Sequence, residues 1–242
     1  MNRFLVSAVV SPLLAITAQA APLNVGTGVD GSGSVLAAGT LDPNWTISTD
    51  GTSFSAARVA YPGSYPNYGS GQTCCGMDTI SATAAWITTP SVTATSPVTG
   101  WGGGPDPAIV PGPTVYARRT IDLTGLDATN ATFSGSWRVA DLADGIFING
   151  NLVSGTNTGA YAFAADLPFS VAAGSGLFMS GLNLIELRGR SVNNVWDAFW
   201  VSGEVKADAL VINTPPVPEP STYALMAAGL LAVGWTARRR RS

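Results

Sequence analysis

The chain contains no histidine, a single lysine (Lys206) and two cysteines among its 242 residues. Without histidine, the Ser-His-Asp and Cys-His nucleophile systems lack their base, and the common zinc ligand sets cannot be completed. Charged residues make up 11% of the chain, so most of the surface has to come from Ser, Thr, Asn, Gly and backbone. Such a surface suits an extracellular β-protein better than a cytosolic helical one. Long apolar runs are missing from the body of the chain and occur only at its two ends. No internal repeat is visible.

The two cysteines, Cys74 and Cys75, are adjacent. Neighbouring Cα atoms across a trans peptide lie about 3.8 Å apart, below the usual disulfide range of about 4.4 to 6.8 Å, so a bridge between them is strained. Three states stay open: a vicinal disulfide, bridges between molecules, or two free thiols. An oxidising compartment and the lack of a third cysteine favour the vicinal ring.

The ends point to export. Residues 1–20 read as a secretory signal peptide: Arg3 gives the positive start, residues 4–16 the apolar region, and Ala18-Gln19-Ala20 the small-x-small cleavage site. This implies the Sec translocon and signal peptidase as partners. At the other end, Pro218-Glu219-Pro220 precedes an apolar run over residues 223–237, which is followed by Arg238, Arg239, Arg240 and Arg241. From Pro220 to Ala237 no residue carries a charge. As a helix those positions span about 27 Å, close to the roughly 30 Å of a bilayer's hydrocarbon. The arginines stay on the cytoplasmic side and the rest of the chain faces out. Pro218 and Pro220 stop the helix from extending upstream.

Setting the ends aside changes the charge balance. The chain has 12 basic and 15 acidic residues; without Arg3 and the four terminal arginines 7 basic remain, and without Glu219 14 acidic, an excess of 7 negative charges over residues 21–216. That excess argues against nucleic acid as a partner, since phosphates require clustered Lys and Arg. The body is long enough for one well-buried core.

Short β-type runs are predicted at residues 35–41, 45–49 and 54–60, with turns at Asp30-Gly31, Asp42-Pro43-Asn44 and Asp50-Gly51. A loop over residues 61–77 carries Tyr65 and Tyr68 and ends at the cysteine pair. Trp86 and Ile87 sit in the next strand, and a second loop over residues 99–113 contains Trp101. Further strands are expected at residues 115–123, 131–139, 146–148, 161–164, 169–172, 182–189 and 197–205. Asn149-Gly150 is a two-residue hairpin signal. Strands at this spacing without helices between them indicate an all-β antiparallel sandwich or jelly roll. The expected organisation is a signal peptide (1–20), a β-sandwich (21–212), a linker (213–222), a transmembrane helix (223–237) and a cytoplasmic arginine cluster (238–242).

Two resemblances follow. The Pro-Glu-Pro triplet, apolar helix and terminal arginines resemble the PEP-CTERM sorting signal of certain Gram-negative bacteria, which implies recognition by an exosortase, a membrane protease that releases the cargo from its anchor at the cell surface. The series Tyr116-Ala117-Arg118-Arg119-Thr120-Ile121-Asp122-Leu123, Trp137-Arg138-Val139-Ala140-Asp141, Ile146-Phe147-Ile148-Asn149-Gly150 and Gly181-Leu182-Asn183-Leu184-Ile185-Glu186-Leu187 resembles the galactose-binding-like jelly roll. It departs from that pattern at Ile148, where Leu is usual, and at Leu142, where Asn often follows the Asp. These are turn and core signals, so they speak for a fold more than for a ligand.

For catalysis the chain offers only paired carboxylates: Asp141 with Asp144, or Asp197, Glu186 and Glu204 meeting across strands, as glycoside hydrolysis would require. The bland alternative is that Asp141 and Asp144 shape turns and the others sit on solvated strand faces. Carbohydrate binding by the loop aromatics Tyr65, Tyr68 and Trp101 is the stronger candidate, set against simple loop packing. Trp45, Trp86, Trp137, Trp196 and Trp200 are expected in the core, and Arg118 and Arg138 on the outer face. No cofactor is expected. A structural calcium ion, which jelly rolls of this kind often hold, is an alternative without EF-hand spacing to support it. The sequence reading is therefore a non-enzymatic surface or matrix protein with exopolysaccharide as candidate ligand. The alternatives are a carboxylate-dependent glycan-active enzyme and a purely structural matrix protein.

Overall fold

The computed structural model describes residues 21–60, 67–68, 72–73, 83–90, 111–159, 161–192, 198–210 and 220–239. The expected signal peptide, Tyr65, Trp101, Trp196, Asp197 and the Cys74-Cys75 pair lie outside these residues. The chain divides into two units, Met1–Leu210 and Val211–Ser242.

The first unit is antiparallel throughout the described residues. Its strands are β1 (Leu23–Asn24), β2 (Leu41–Ser48), β3 (Ser55–Val59), β4 (Asn67–Tyr68), β5 (Gln72–Thr73), β6 (Ile87–Thr88), β7 (Pro111–Asp122), β8 (Thr132–Ile148), β9 (Asn151–Leu152), β10 (Tyr161–Val171), β11 (Leu182–Val192) and β12 (Ala198–Lys206). β4 and β5 form a separate two-stranded ribbon. The others make one sheet in the order β1-β12-β6-β3-β2-β7-β11-β8-β10, with β9 on β8. Because β8 also pairs with β12, the ladder returns to its own start and closes into a ring.

β8 makes that closure possible. Its first part, Thr132 to Ala140, pairs with β12 along one edge, while Phe133 to Val139 pair with β10 along the other. Its last part, from Leu142 to Ile148, changes partner to β11. Two strands expected at residues 131–139 and 146–148 are thus one strand of 17 residues, and the turn expected at Asp144-Gly145 is absent. Gly145, at φ 126°, lets the strand bend without ending. Likewise, the runs at 161–164 and 169–172 merge into β10 across register shifts, and Asp42-Pro43-Asn44 lies within β2 at a register shift instead of ending it. The strand expected at residues 35–41 starts only at Leu41. Upstream, the Asp30 carboxylate accepts the Ser32 and Ser34 N–H groups and curls the chain into a turn.

The Asn149-Gly150 hairpin forms as expected, joining β8 to β9 with φ 51° and 82° at its two residues. Both torsions are positive, as the tight primed turn requires. Alternation along the strands sends Trp45, Ile47, Ala117, Phe133, Trp137, Ile146, Ile185, Leu187, Phe199 and Val201 into one core, each at most 1% exposed. Phe133 and Phe169 meet edge to face at 4.6 Å between ring centroids. Trp86 and Trp200 are also buried, but in a second cluster with Ala60, Ala84, Ala140 and Ala198. They lie there because Ala198 and Trp200 alternate with the core-facing Phe199 and Val201 on β12.

The second unit contains α1 (Pro220–Arg239). It begins at Pro220, which is tolerated in a first helical turn because the missing N–H would be unbonded there anyway. Its side chains from Tyr223 to Arg239 are exposed. Among the described residues no helix is long and apolar enough to cross a membrane. This corrects the span expected over residues 223–237, where Ala, Gly and Thr separate the leucines and contribute little apolar area.

Candidate functional site

The most organised polar group on the described surface lies on the outer face of β7, β11 and β8. In β7, Val115, Ala117 and Ile121 face the core, so Tyr116, Arg118 and Thr120 face out. In β11, Ile185 and Leu187 face in, so Glu186, Arg188 and Arg190 face out. Register then brings them together: Glu186 lies opposite Arg118 on one side and Phe147 on the other, and Arg188 opposite Tyr116.

Glu186 is the hub. It is 4% exposed although it points away from the core, because two guanidinium groups cover it. Arg118 donates Nε–H to Oε2, and Arg188 donates Nε–H to Oε1 at 2.5 Å. Aromatic rings hold both arginines in turn. The Arg118 guanidinium lies 4.0 Å from the Phe54 ring centroid, and that of Arg188 3.7 Å from Phe147 and 5.7 Å from Tyr116. Arg190 extends the row and donates Nε–H to Asp144 at 2.8 Å. Beside Arg118 a hollow of about 380 Å³ is lined by Pro43, Asn44, Thr46, Arg118, Thr120 and Leu184.

The neighbouring Arg119 points the other way and does a different job. Its guanidinium is pushed below its ordinary value by burial, a shift opposed by the charge of Asp42. The Asp42 carboxyl is raised by burial, while N–H groups of Asn44, Gly28 and Trp45 act against that rise. These bonds, of 2.6 to 3.0 Å, fasten the segment around Gly28 to β2. Asp42 and Arg119 are therefore part of the scaffold.

The carboxylate pairs expected for hydrolysis do not assemble from the described side chains. Glu186 is opposite Phe147 and Glu204 opposite Ser134, thirteen positions apart along β8 (147 − 134). Glu186 is not on a solvated face but bound between arginines, and Glu204 pairs with Lys206. Asp144 holds Arg190 instead of a turn; Asp141 lies in β8, its side chain outside the description. Tyr68 is on β4, opposite Gln72. Arg138 does lie on the outer face, bonded to Asp166 at 2.6 Å and 5.3 Å from the Trp200 ring. Among the described residues no group of three or more potential Asp, Glu, Cys or His ligands is placed to hold a metal ion. The arginine row had a signal in the sequence: Glu186, Arg188 and Arg190 recur with period two, which places them on one face of a strand.

The jelly-roll-like signature at Asn149 and Asn183 is consumed by the fold. Asn183 is fully buried; its Oδ1 accepts from Asn149 Nδ2 (2.8 Å) and Met179 N (2.8 Å), and its Nδ2 donates to the carbonyls of Met179 (2.7 Å) and Gly181 (2.8 Å). Asn149 also accepts from the Leu184 N–H at 2.9 Å. The buried Asn183 amide has all its donors and acceptors used in these bonds, and none is left for a ligand.

In the second unit, Pro220 opens α1, and Arg238 and Arg239 close it. Basic groups at a helix C-terminus complement its dipole, and Arg239 lies 4.7 Å from the Trp235 ring. Pro218, Glu219, Arg240 and Arg241 lie outside the described residues. Neither the curated proteins nor the solved structures compared with the chain gave a match. Residues 216–241 match the family model of the PEP-CTERM protein-sorting motif, so this chain carries that motif at its C-terminal end.

Proposed function

We propose that the protein is an exported, non-catalytic surface or matrix protein, sorted by an exosortase, whose β-domain binds exopolysaccharide. The match of residues 216–241 to the PEP-CTERM protein-sorting motif carries the reading. Its physical sense is a temporary tether. α1 presents Leu225, Met226, Leu230, Leu231, Val233 and Trp235 on its surface, apolar area by which it can hold to a membrane without crossing it, and Arg238 and Arg239 close that stretch with positive charge. A marginal helix suits an anchor that is later removed. The signal peptide at residues 1–20 brings the chain to the translocon first.

Two features support a jelly-roll sandwich for the cargo. β8 serves two sets of partners, as a strand shared between two layers would, and the Asn149 and Asn183 network occupies the positions of the signature. A binding role fits better than catalysis, because the described carboxylates are bound to arginines, lysine, the Asn130 amide or backbone groups. Replacing Pro218, Glu219 and Pro220 by alanine tests the sorting claim. The wild-type protein from cells is expected to have lost both ends by mass, and the variant to keep its tail and remain in the membrane fraction. Equal processing of the two would sink it.

A further inference from the structure

From the outer face of β7, β11 and β8 we infer a binding site for a carboxylate-bearing polysaccharide, centred on Arg118, Arg188 and Arg190. This rests on the reading of the protein as a glycan binder and names the site and the class of glycan. Three of the seven basic residues in residues 21–216 gather here, in a body with fourteen acidic ones. Two carboxylates, Glu186 and Asp144, face these three guanidinium groups, so the patch retains one positive charge on an otherwise acidic domain.

The bonding pattern leaves the right groups for a ligand. Each of the three arginines spends its Nε–H on a protein carboxylate. Their Nη groups make no hydrogen bond or ion pair with the described residues, and the side chains are 32%, 32% and 36% exposed. Free N–H groups on a planar fork match the two oxygens of a carboxylate. Arg118 and Arg188 are also preorganised: the buried Glu186 fixes one edge of each fork, and Phe54 and Phe147 fix one face. Little side-chain freedom remains to be lost on binding.

The layout follows an extended chain better than a lone anion. Arg188 and Arg190 are two residues apart on one strand, roughly 7 Å, and Arg118 continues the row on β7. The hollow next to Arg118 falls within the roughly 300 to 1,000 Å³ of small-ligand sites. Its Thr46 and Thr120 hydroxyls and the Leu184 side chain offer hydroxyl partners and an apolar floor for a sugar ring. A guanidinium over an aromatic ring also keeps one face free for the ring of a sugar. Carboxylates set along a polysaccharide would meet the row one after another.

The test is a titration of the full-length protein in detergent with a short oligogalacturonate, beside the same oligosaccharide with its carboxyl groups reduced and beside polyaspartate. The expected result is saturable binding of the oligogalacturonate that weakens with salt, with affinity for both controls lower by about tenfold or more. Replacing Arg188 and Arg190 by glutamine is expected to lower oligogalacturonate affinity by at least about tenfold with the melting temperature monitored. In case that variant unfolds, Arg118→Lys with Arg188→Lys keeps the charges but removes the forks, and the same loss is expected from a folded protein. Equal binding of polyaspartate, or oligogalacturonate binding unchanged in the folded variants, overturns the inference. Binding of the reduced oligosaccharide that neither variant alters overturns this site while leaving the glycan-binding reading intact; binding of no glycan defeats both.

Discussion

Asp42 and the exposed aspartates respond to pH in opposite directions because burial and hydrogen bonding act oppositely on a carboxyl group. The Ser32 hydroxyl lowers Asp30 below 3.8, the Ser53 N–H lowers Asp50, and the hydroxyls of Thr124 and Thr129 lower Asp122 and Asp127. Below pH 3.8 the unfolded chain binds these protons more readily than the folded one. The stability from these four is therefore present above 3.8 and lost as pH falls through their folded values. Asp42 is raised by burial, so the folded chain holds its proton more tightly, and its contribution is lost as pH rises from 3.8 through the raised value. The urea midpoint is expected to fall on acidification below pH 3.8, and Asp50→Asn to make that fall shallower. An acid limb unchanged by the substitution would remove Asp50 from this account. The turns at Asp30 and Asp50 were legible in the sequence, since Asp-Gly favours side-chain to backbone bonds, whereas those at Asp122 and Asp127 come to light only in the structure. That Asp42 is buried was not legible either, because its surroundings come from strands distant in sequence.

β8 shows why some of the architecture was legible and some was not. Alternation placed Phe133, Trp137 and Val139 on the core side and Arg138 on the other, as found. The Asn149-Gly150 hairpin was readable because the torsions it requires belong to those two residue types. Nothing local announces that a strand continues while changing partners, so residues 131–148 read as two strands. The arginine row was half legible: period two puts Glu186, Arg188 and Arg190 on one face, but only the pairing of β11 with β7 supplies Arg118. At this scale Gly135 is decisive. A Cβ there would lie 2.2 Å from the Ser202 carbonyl oxygen and 2.7 Å from the Gly203 Cα. Both atoms are backbone of β12 and cannot withdraw without breaking the ladder. Gly135→Ala is expected to destabilise the domain by about 2 to 3 kcal/mol in denaturant unfolding; a loss below about 0.5 kcal/mol, the size of an ordinary surface change, would mean that β8 and β12 separate easily.

For the whole molecule, the two ends carry charge that the body lacks. The full chain has a formal charge of −3, and residues 21–216 have 7 − 14 = −7. Processing at both ends is therefore expected to move the protein to a lower isoelectric point as well as a lower mass. A species that loses mass without this acidic shift has kept its arginines and was cut elsewhere. The removed arginines also matter for ligands, since they add positive charge that the mature domain does not have. The arginine row would then be the principal cationic feature of an acidic domain, and long-range repulsion would keep anionic chains from the rest of the surface.

The ring of strands is closed unevenly. β12 is paired to β8 at nine positions, whereas β12 to β6 and β6 to β3 are each joined at two. The polypeptide leaves β12 toward the tail, so a pull on the tethered end meets first the bonds of Asp208 and Leu210 to Gly125, Asp127 and Asn130 and the bridge of Ala209 to Leu126, and behind them β12. The short β6 seam is where such a load opens the ring, and the nine-position ladder is what keeps the last strand in place. A protein held at a surface by its C-terminus would thus yield by parting along a slit and reclosing, with the arginine-bearing strands on the far side of the ring undisturbed.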